Sequence, residues 1–373
     1  MTDLIPLAAD LVRIDSRSFI SNLAVADRIE AELAGFTVER LDYVDAAGVA
    51  KRALVARKGI GAGGLAFSGH MDTVPATGWE GDPWSGHIAD GYLHGLGSTD
   101  MKGPLAACIV AARALPDNIP ITLLITTDEE TTKAGARIIE AKSQLVRLHP
   151  PAAILVAEPT RMAPVRGHRS SINFLVTAEG VQAHSSTGRG RNANWQMVGF
   201  LAAMKAIHDR LQIDPAWRDD AYDPPFSDFN LVIDNHGAPV NMTVPLTTVR
   251  IKFRVSAKMN PDPIIAEVRA AAEGLTLNVT REGPPLETAA EHPLIRLAVA
   301  FTNQAAITAP FGTDASELQA IAPCVVLGPG DIWEAHCPGE KLSLSALQAA
   351  VPAFTALAER VAAPGWPEPP PAR

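Results

Sequence analysis

The spacing of apolar and polar positions changes character twice along this chain. Residues 121–127 (ITLLITT) and 152–159 (AAILVAEP) are short apolar, β-branched runs that predict fully buried strands. Residues 102–115 (KGPLAACIVAARAL) predict a helix with Pro104 in its first turn, where a missing N–H costs little. Residues 132–145 (TKAGARIIEAKSQL) predict a second helix, and the N-terminal stretch MTDLIPLAADLVRIDS an amphipathic one. Strands alternating with helices from about residue 50 to 160 predict an α/β sandwich. Near residue 168 the texture shifts. SINFLVTAEG has the period of two of a half-buried strand, and a helix follows over NWQMVGFLAAMKAIHDRL. FNLVIDNHG and TTVRIKFRVS read as strands, PDPIIAEVRAAAEG as a helix and TLNVT as a final strand. That β-α-β-β-α-β order predicts a ferredoxin-like insert. After residue 283 the α/β texture returns with the strand CVVLGPG (324–330) and the closing helix LSALQAAVPAFTALAERVA. The expected organisation is therefore a discontinuous catalytic domain of residues 1–168 and 283–373, interrupted by a smaller α+β domain at 169–282. The proline-rich end, PGWPEPPPAR, is expected to be a loose tail.

At 373 residues two domains are the reasonable expectation, and 47% hydrophobic with 20% charged residues describes an ordinary globular protein. A net charge of −9 argues against nucleic acid and anionic membranes as partners, since both select a basic footprint. The N-terminal stretch lacks the basic start and small-residue cleavage site of a signal peptide, and no apolar run is long enough to span a bilayer. Three cysteines (Cys108, Cys324, Cys337) without a C-x-x-C pair fit a reduced, cytoplasmic setting.

The candidate chemistry sits where the strands end. His70 and Asp72 follow LAFSG; Asp100 precedes a helix; Glu129 and Glu130 end the ITLLITT strand; Glu158 ends AAILVAEP; His336 follows CVVLGPG after a loop. Singly, each has an ordinary explanation: a helix cap for Asp100, a solvated loop for the glutamates, a surface position for His336. Cys337 reads as a small buried hydrophobe, pointing away from its neighbour His336. Jointly, five loops deliver a carboxylate or imidazole to one edge of an open sheet, the edge where sites assemble. Oxygen-rich ligation with two imidazoles suits zinc, with cobalt or manganese as substitutes.

The motifs SGHMDTVP, GLGSTDMKGPLAA, TTDEETTKAGAR, AEPT, GVQAHSSTGRGRNA and LGPGDIWEAHCPGE together resemble the dinuclear-zinc aminoacylase and carboxypeptidase family. Its branches include acetylornithine deacetylases, succinyl-diaminopimelate desuccinylases and glutamate carboxypeptidases. The first of these is the most similar, through DEETTKAGAR, EPTRMAPVRGH, FGTDAS and LGPGDIWEAHCPGEKL. The resemblance runs in order over nearly the whole chain. It implies a zinc-exopeptidase-like α/β/α sandwich interrupted by a ferredoxin-like lid and dimerisation domain, hence a homodimer. It further implies that His70 and Glu158 bind one zinc, Glu130 and His336 the other, and Asp100 both. Asp72 would accept a hydrogen bond from His70 and fix its tautomer, since residues two apart in an extended strand face one way. Glu129 is left as the general base, and the Asp100–Met101 peptide is expected to be cis.

The same resemblance makes His184 an oxyanion donor that reaches the neighbouring subunit. It places Asn241 and Arg254 against a substrate carboxylate, and Gly312 and Thr313 in a loop lining the pocket. Two positions depart from the family pattern: Gly339, where an acidic or amide residue is common, and Trp195, where a small aliphatic is usual. The expected activity is removal of an N-acyl group from an amino acid, with N-acetylornithine the leading substrate. Desuccinylation of succinyl-diaminopimelate and release of a C-terminal glutamate are the alternatives. An inactive amino-acid or peptide binder is the alternative of a different class. Against it stands the joint presence of all five ligands, Glu129 and His184.

Overall fold

The computed structural model describes residues 3–367, so the expected tail lies outside the described residues from position 368 on. The chain forms two compact units. The first takes the residues up to Gly167, Glu287–Ile307 and the chain from Thr313 on; the second takes His168–Leu286 and Thr308–Gly312.

In the first unit the strands Thr37–Val44, Ala50–Lys58, Ile121–Thr126, Leu65–His70, Ala153–Val156 and Cys324–Val326 lie side by side in that order. The last four run parallel. They are buried along their whole length, because helices cover both faces of a parallel sheet and leave no position for alternation. The helix Gly103–Ala114 packs against Leu4–Val12 on one side and Leu344–Val361 on the other. Its residues from Gly103 to Ala112 are all buried, which only small and apolar side chains permit. Phe67 from the sheet meets Phe354 from the closing helix at 5.5 Å between ring centroids. Burial of each such ring is worth about 2–3 kcal/mol. Register then levels the strand ends: His70 pairs with Thr126, and Ser68 and Val326 both pair with Val156. The loops leaving these strands therefore start from one edge of the sheet.

The second unit has the strand, helix, strand, strand, helix, strand order expected from its periodicity. Its four-stranded sheet runs Phe229–Asp234, Leu246–Val255, Ser170–Glu179, Thr276–Arg281, antiparallel throughout. Phe174, Val249 and Phe253 face Phe200 and Met204 of the helix Ala193–Ile213 in its core. Among the described residues no helix is long and apolar enough to cross a membrane.

The structure departs from the sequence reading in several places. The helix expected over 132–145 is two, Ala134–Lys142 and Gln144–Leu148. Ser143 breaks it by turning extended, and its Oγ accepts from the Val146 N–H at 3.1 Å. The edge hairpin Thr37–Val44 and Ala50–Lys58 was not foreseen. Nor was a small three-stranded sheet of His87–Ala89, Tyr92–His94 and Lys341–Ser343. Cys337 is exposed rather than buried, because its loop lies on the surface.

Candidate metal centre

Every residue of the cluster belongs to the first unit. His70 is the last residue of its strand, and its Nε2 lies 3.1 Å from Asp100 Oδ1 and 3.9 Å from Glu158 Oε1. His336 Nε2 lies 2.9 Å from Glu130 Oε1 and 3.3 Å from Asp100 Oδ2. Two trios result, His70–Asp100–Glu158 and Asp100–Glu130–His336, each with its ligand atoms within 4.8 Å of one another. Asp100 is common to both and turns one oxygen to each histidine. It sits in the turn Ser98–Lys102 ahead of the helix Gly103–Ala114, and its peptide to Met101 is cis. Gly328 lets the chain after Cys324–Val326 run against the Ala157–Glu158 backbone: a Cβ there would meet Ala157 O at 2.4 Å. The His336 loop can thus begin beside Glu158.

Charge explains what the cluster is suited to hold. Burial and the Asp100 carboxylate push Glu130 up to about 8 and Glu158 well above the carboxylate range. Bonds to Asp100 and Glu130 raise His336 to about 11. Burial opposes a charge on His70, yet its bonds to Asp100 and Asp72 hold it well above the usual imidazole value. Burial opposes the Asp100 charge as well, and the two histidines outweigh it. Buried carboxylates that hold protons for want of a counter-charge are the donor set that divalent cations displace protons from. Three carboxylates and two imidazoles fit zinc, cobalt or manganese.

Asp72 differs in detail from its expected role. His70 Nδ1 faces the Asp72 main-chain oxygen at 3.0 Å, and the carboxylate only at 3.5 Å. That carboxylate accepts from Ser18 Oγ at 2.7 Å and from the Glu129 and Glu130 N–H groups at 3.2 and 3.3 Å. It braces the acidic loop as much as the histidine. Glu129 itself belongs to neither trio; its Oε1 lies 3.4 Å from Lys133 Nζ. Lys133 also donates to the Thr313 carbonyl at 2.9 Å, so buried Thr313 supports this corner of the first unit. Gly312 belongs to the second unit, as do His184, Asn241 and Arg254. There the structure brings two of the expected residues together: Ser185 N donates to Asn241 O at 2.9 Å, and His184 bridges to Met242. Arg254 is ion-paired with Asp228.

Besides Asp128, two buried acids of the first unit escaped the sequence reading. Asp314, in FGTDAS, accepts from Thr126 Oγ1 at 2.5 Å and is pushed up to about 7 by burial and by Glu129. Glu340, four residues after His336, accepts from the N–H groups of Gly97 (3.1 Å), Thr99 (2.8 Å) and Asp100 (3.0 Å). It is raised to about 7 by burial and by Asp100. The signal was its place in the HCPGE motif, but its partners lie more than 200 positions away in the chain. Glu340→Ala leaves those three N–H groups unpaired in a buried turn. We expect it to cost on the order of 3 kcal/mol in denaturant unfolding of the metal-free chain. A midpoint unchanged from wild type would refute the clamp.

Peptidase family M20/M25/M40 matches residues 66–360 of the chain. An acetylornithine deacetylase of Myxococcus xanthus is 30% identical over 362 residues, 91% of this chain and 93% of the relative. Among solved structures, an M20 family metallo-carboxypeptidase from Sulfolobus solfataricus superposes with a TM-score of 0.77 at 14% identity, covering 96% of this chain and 99% of the other. The YXEP protein of Bacillus subtilis, described as a dinuclear metal binding peptidase from the M20 family, gives 0.62 at 19% identity, covering 97% and 98%.

Proposed function

The chain belongs to peptidase family M20/M25/M40 and is a metal-dependent hydrolase, and from that premise we propose that it removes the acyl group from N-acyl amino acids. N-acetylornithine is the leading substrate, yielding ornithine and acetate for arginine biosynthesis in the cytoplasm. The observation that carries this reading is Asp100, one oxygen facing His70 and the other His336, with a further carboxylate on each side. His70 and Glu158 would hold one zinc ion, Glu130 and His336 a second, and Asp100 both; cobalt or manganese could substitute. When bound, such a pair of ions lowers the pKa of water towards about 7 and polarises the amide carbonyl.

The chain's own residues do the rest. Glu129, outside both trios and steadied at Oε1 by Lys133, takes the proton of the attacking water and passes it to the departing amine nitrogen. His184 Nδ1 accepts from the Ser186 N–H at 3.3 Å, which leaves Nε2 as the protonated nitrogen. In a homodimer that Nε2–H would stabilise the oxyanion in the site of the neighbouring subunit. Arg254 would exchange Asp228 for the substrate carboxylate, and Asn241, Gly312 and Thr313 would be further substrate contacts. The similarity to a protein named acetylornithine deacetylase supports the choice of substrate.

The test is a panel of acetyl, succinyl and formyl amino acids and dipeptides, offered to chain stripped of metal and to chain reloaded with zinc. Chelation is expected to abolish hydrolysis, and zinc or cobalt to restore it, with acetylornithine the fastest. Full activity in verified metal-free protein would sink the metal reading. A faster succinyl substrate or dipeptide would move the chain to a sibling reaction. No turnover of any compound by the zinc-loaded chain would leave a binder.

A further inference from the structure

Behind the acidic loop lies a closed ring of buried polar groups, of which the hydrolytic reading uses only Asp72. Lys51, in the strand Ala50–Lys58, is 1% exposed, and Ser18, Asp72 and Asp128 are buried with it. Its Nζ donates to the Ser18 carbonyl at 2.5 Å and lies 2.8 Å from Asp128 Oδ1, an ion pair rather than a well-angled hydrogen bond. Tyr43 Oη donates to the other Asp128 oxygen at 2.7 Å. Ser18 Oγ donates to Asp72 Oδ2 at 2.7 Å, and Asp72 in turn accepts from the Glu129 and Glu130 N–H groups. Those two residues follow Asp128 directly in the chain, so the ring closes on the loop that carries the base and a ligand.

Asp128 has φ +60°, a left-handed conformation that a non-glycine residue holds only when its surroundings insist. Its carbonyl accepts from the N–H groups of Thr132 and Lys133 at 2.9 and 2.6 Å, which turns the loop back on itself. The side chain is fixed from the sheet edge by Lys51 and Tyr43; the next two peptides are fixed from the opposite side by Asp72. A fully buried lysine is costly to desolvate unless its charge is matched, and a nearby hydrophobic side chain would satisfy packing alone. Lys51 spends its donors on the two segments that flank the acidic pair.

We infer that Lys51 is a positioning residue, which through Asp128 and Ser18 sets where Glu129 and Glu130 stand relative to His336 and Asp100. The inference rests on the two-ion hydrolase reading. Loss of Lys51 should leave the His70–Asp100–Glu158 trio intact and loosen the half-site containing Glu130.

The experiment compares Lys51→Met and the double variant Lys51→Met/Asp128→Asn with wild type, all as full chains. It follows zinc binding to stripped protein by calorimetry, kcat and KM on the best wild-type substrate, and the melting temperature. In Lys51→Met, kcat and the affinity for the second zinc are each expected to fall by about 10–100-fold, as for other partners behind metal ligands. The first zinc and KM should change little. The double variant removes the unpaired buried carboxylate, so its melting temperature should recover while kcat and the second zinc affinity do not. Overturning results would be wild-type kcat and zinc affinity in a folded single variant, or their recovery together with stability in the double variant. If wild type binds fewer than two zinc ions, the two-ion reading and this inference both fall. If it binds two and the variants match it, only the role of Lys51 is lost.

Discussion

Glu129→Gln is expected to lower kcat by about 10²–10⁴-fold, the usual weight of a general base, while the purified protein still carries its full complement of metal. Glutamine keeps the size of the side chain and one acceptor oxygen, but removes the charge and with it the ability to take a proton. Glu129 lies outside both ligand trios, so its loss should not release an ion. The adjacent Glu130 is the internal control. Its Oε1 faces His336 Nε2 at 2.9 Å, and Glu130→Gln should deplete metal before it affects anything else. Metal analysis and kinetics on the same preparations distinguish the two. Wild-type kcat in Glu129→Gln would remove it from the mechanism, and metal loss in that variant would make it a ligand.

The second large effect is expected in the inserted unit. His184→Ala should lower kcat by about 10²–10³-fold, the value of one oxyanion donor, with KM and metal content nearly unchanged. Mixing the inactive variants Glu129→Gln and His184→Ala under conditions of subunit exchange sharpens the test. A heterodimer has one site in which Glu129 and His184 are both intact, each from a different chain, so activity should partly return. Demonstrated heterodimers without recovered activity would confine His184 to its own subunit or to a structural part.

Much of the fold was legible because its period was. The buried runs around Leu123 and Leu155 and the alternation along Ser170–Glu179 follow from burial on two faces or on one. The candidate ligands His70, Glu130 and Glu158 were legible because they end or closely follow parallel strands, which bring their ends to one edge. What escaped was non-local. Glu340 reaches the Gly97–Asp100 turn through strands of only three residues, too short for any periodicity to show. Lys51 belongs to Ala50–Lys58, a strand the sequence reading did not foresee. Nothing local says that its charge is buried against Asp128 or that Asp72 divides its bonds between a serine and two peptides. Ser143 looks like an ordinary mid-helix residue until its hydroxyl is seen to cap the next helix.

The order of the strands in the sheet has a consequence for how the centre comes into being during synthesis. His70, Asp100, Glu130 and Glu158 leave the ribosome within the first half of the chain, but His336 and the Glu340 clamp emerge only after the whole inserted unit. The nascent chain can therefore assemble the first trio early, while the second stays one ligand short until Cys324–Val326 docks beside Ala153–Val156. An ion bound there would tie position 130 to position 336 across that interval, as a cross-link would. Docking of this late-made strand thus decides when the chain acquires a complete centre, and hydrolytic competence is timed to the last part of translation.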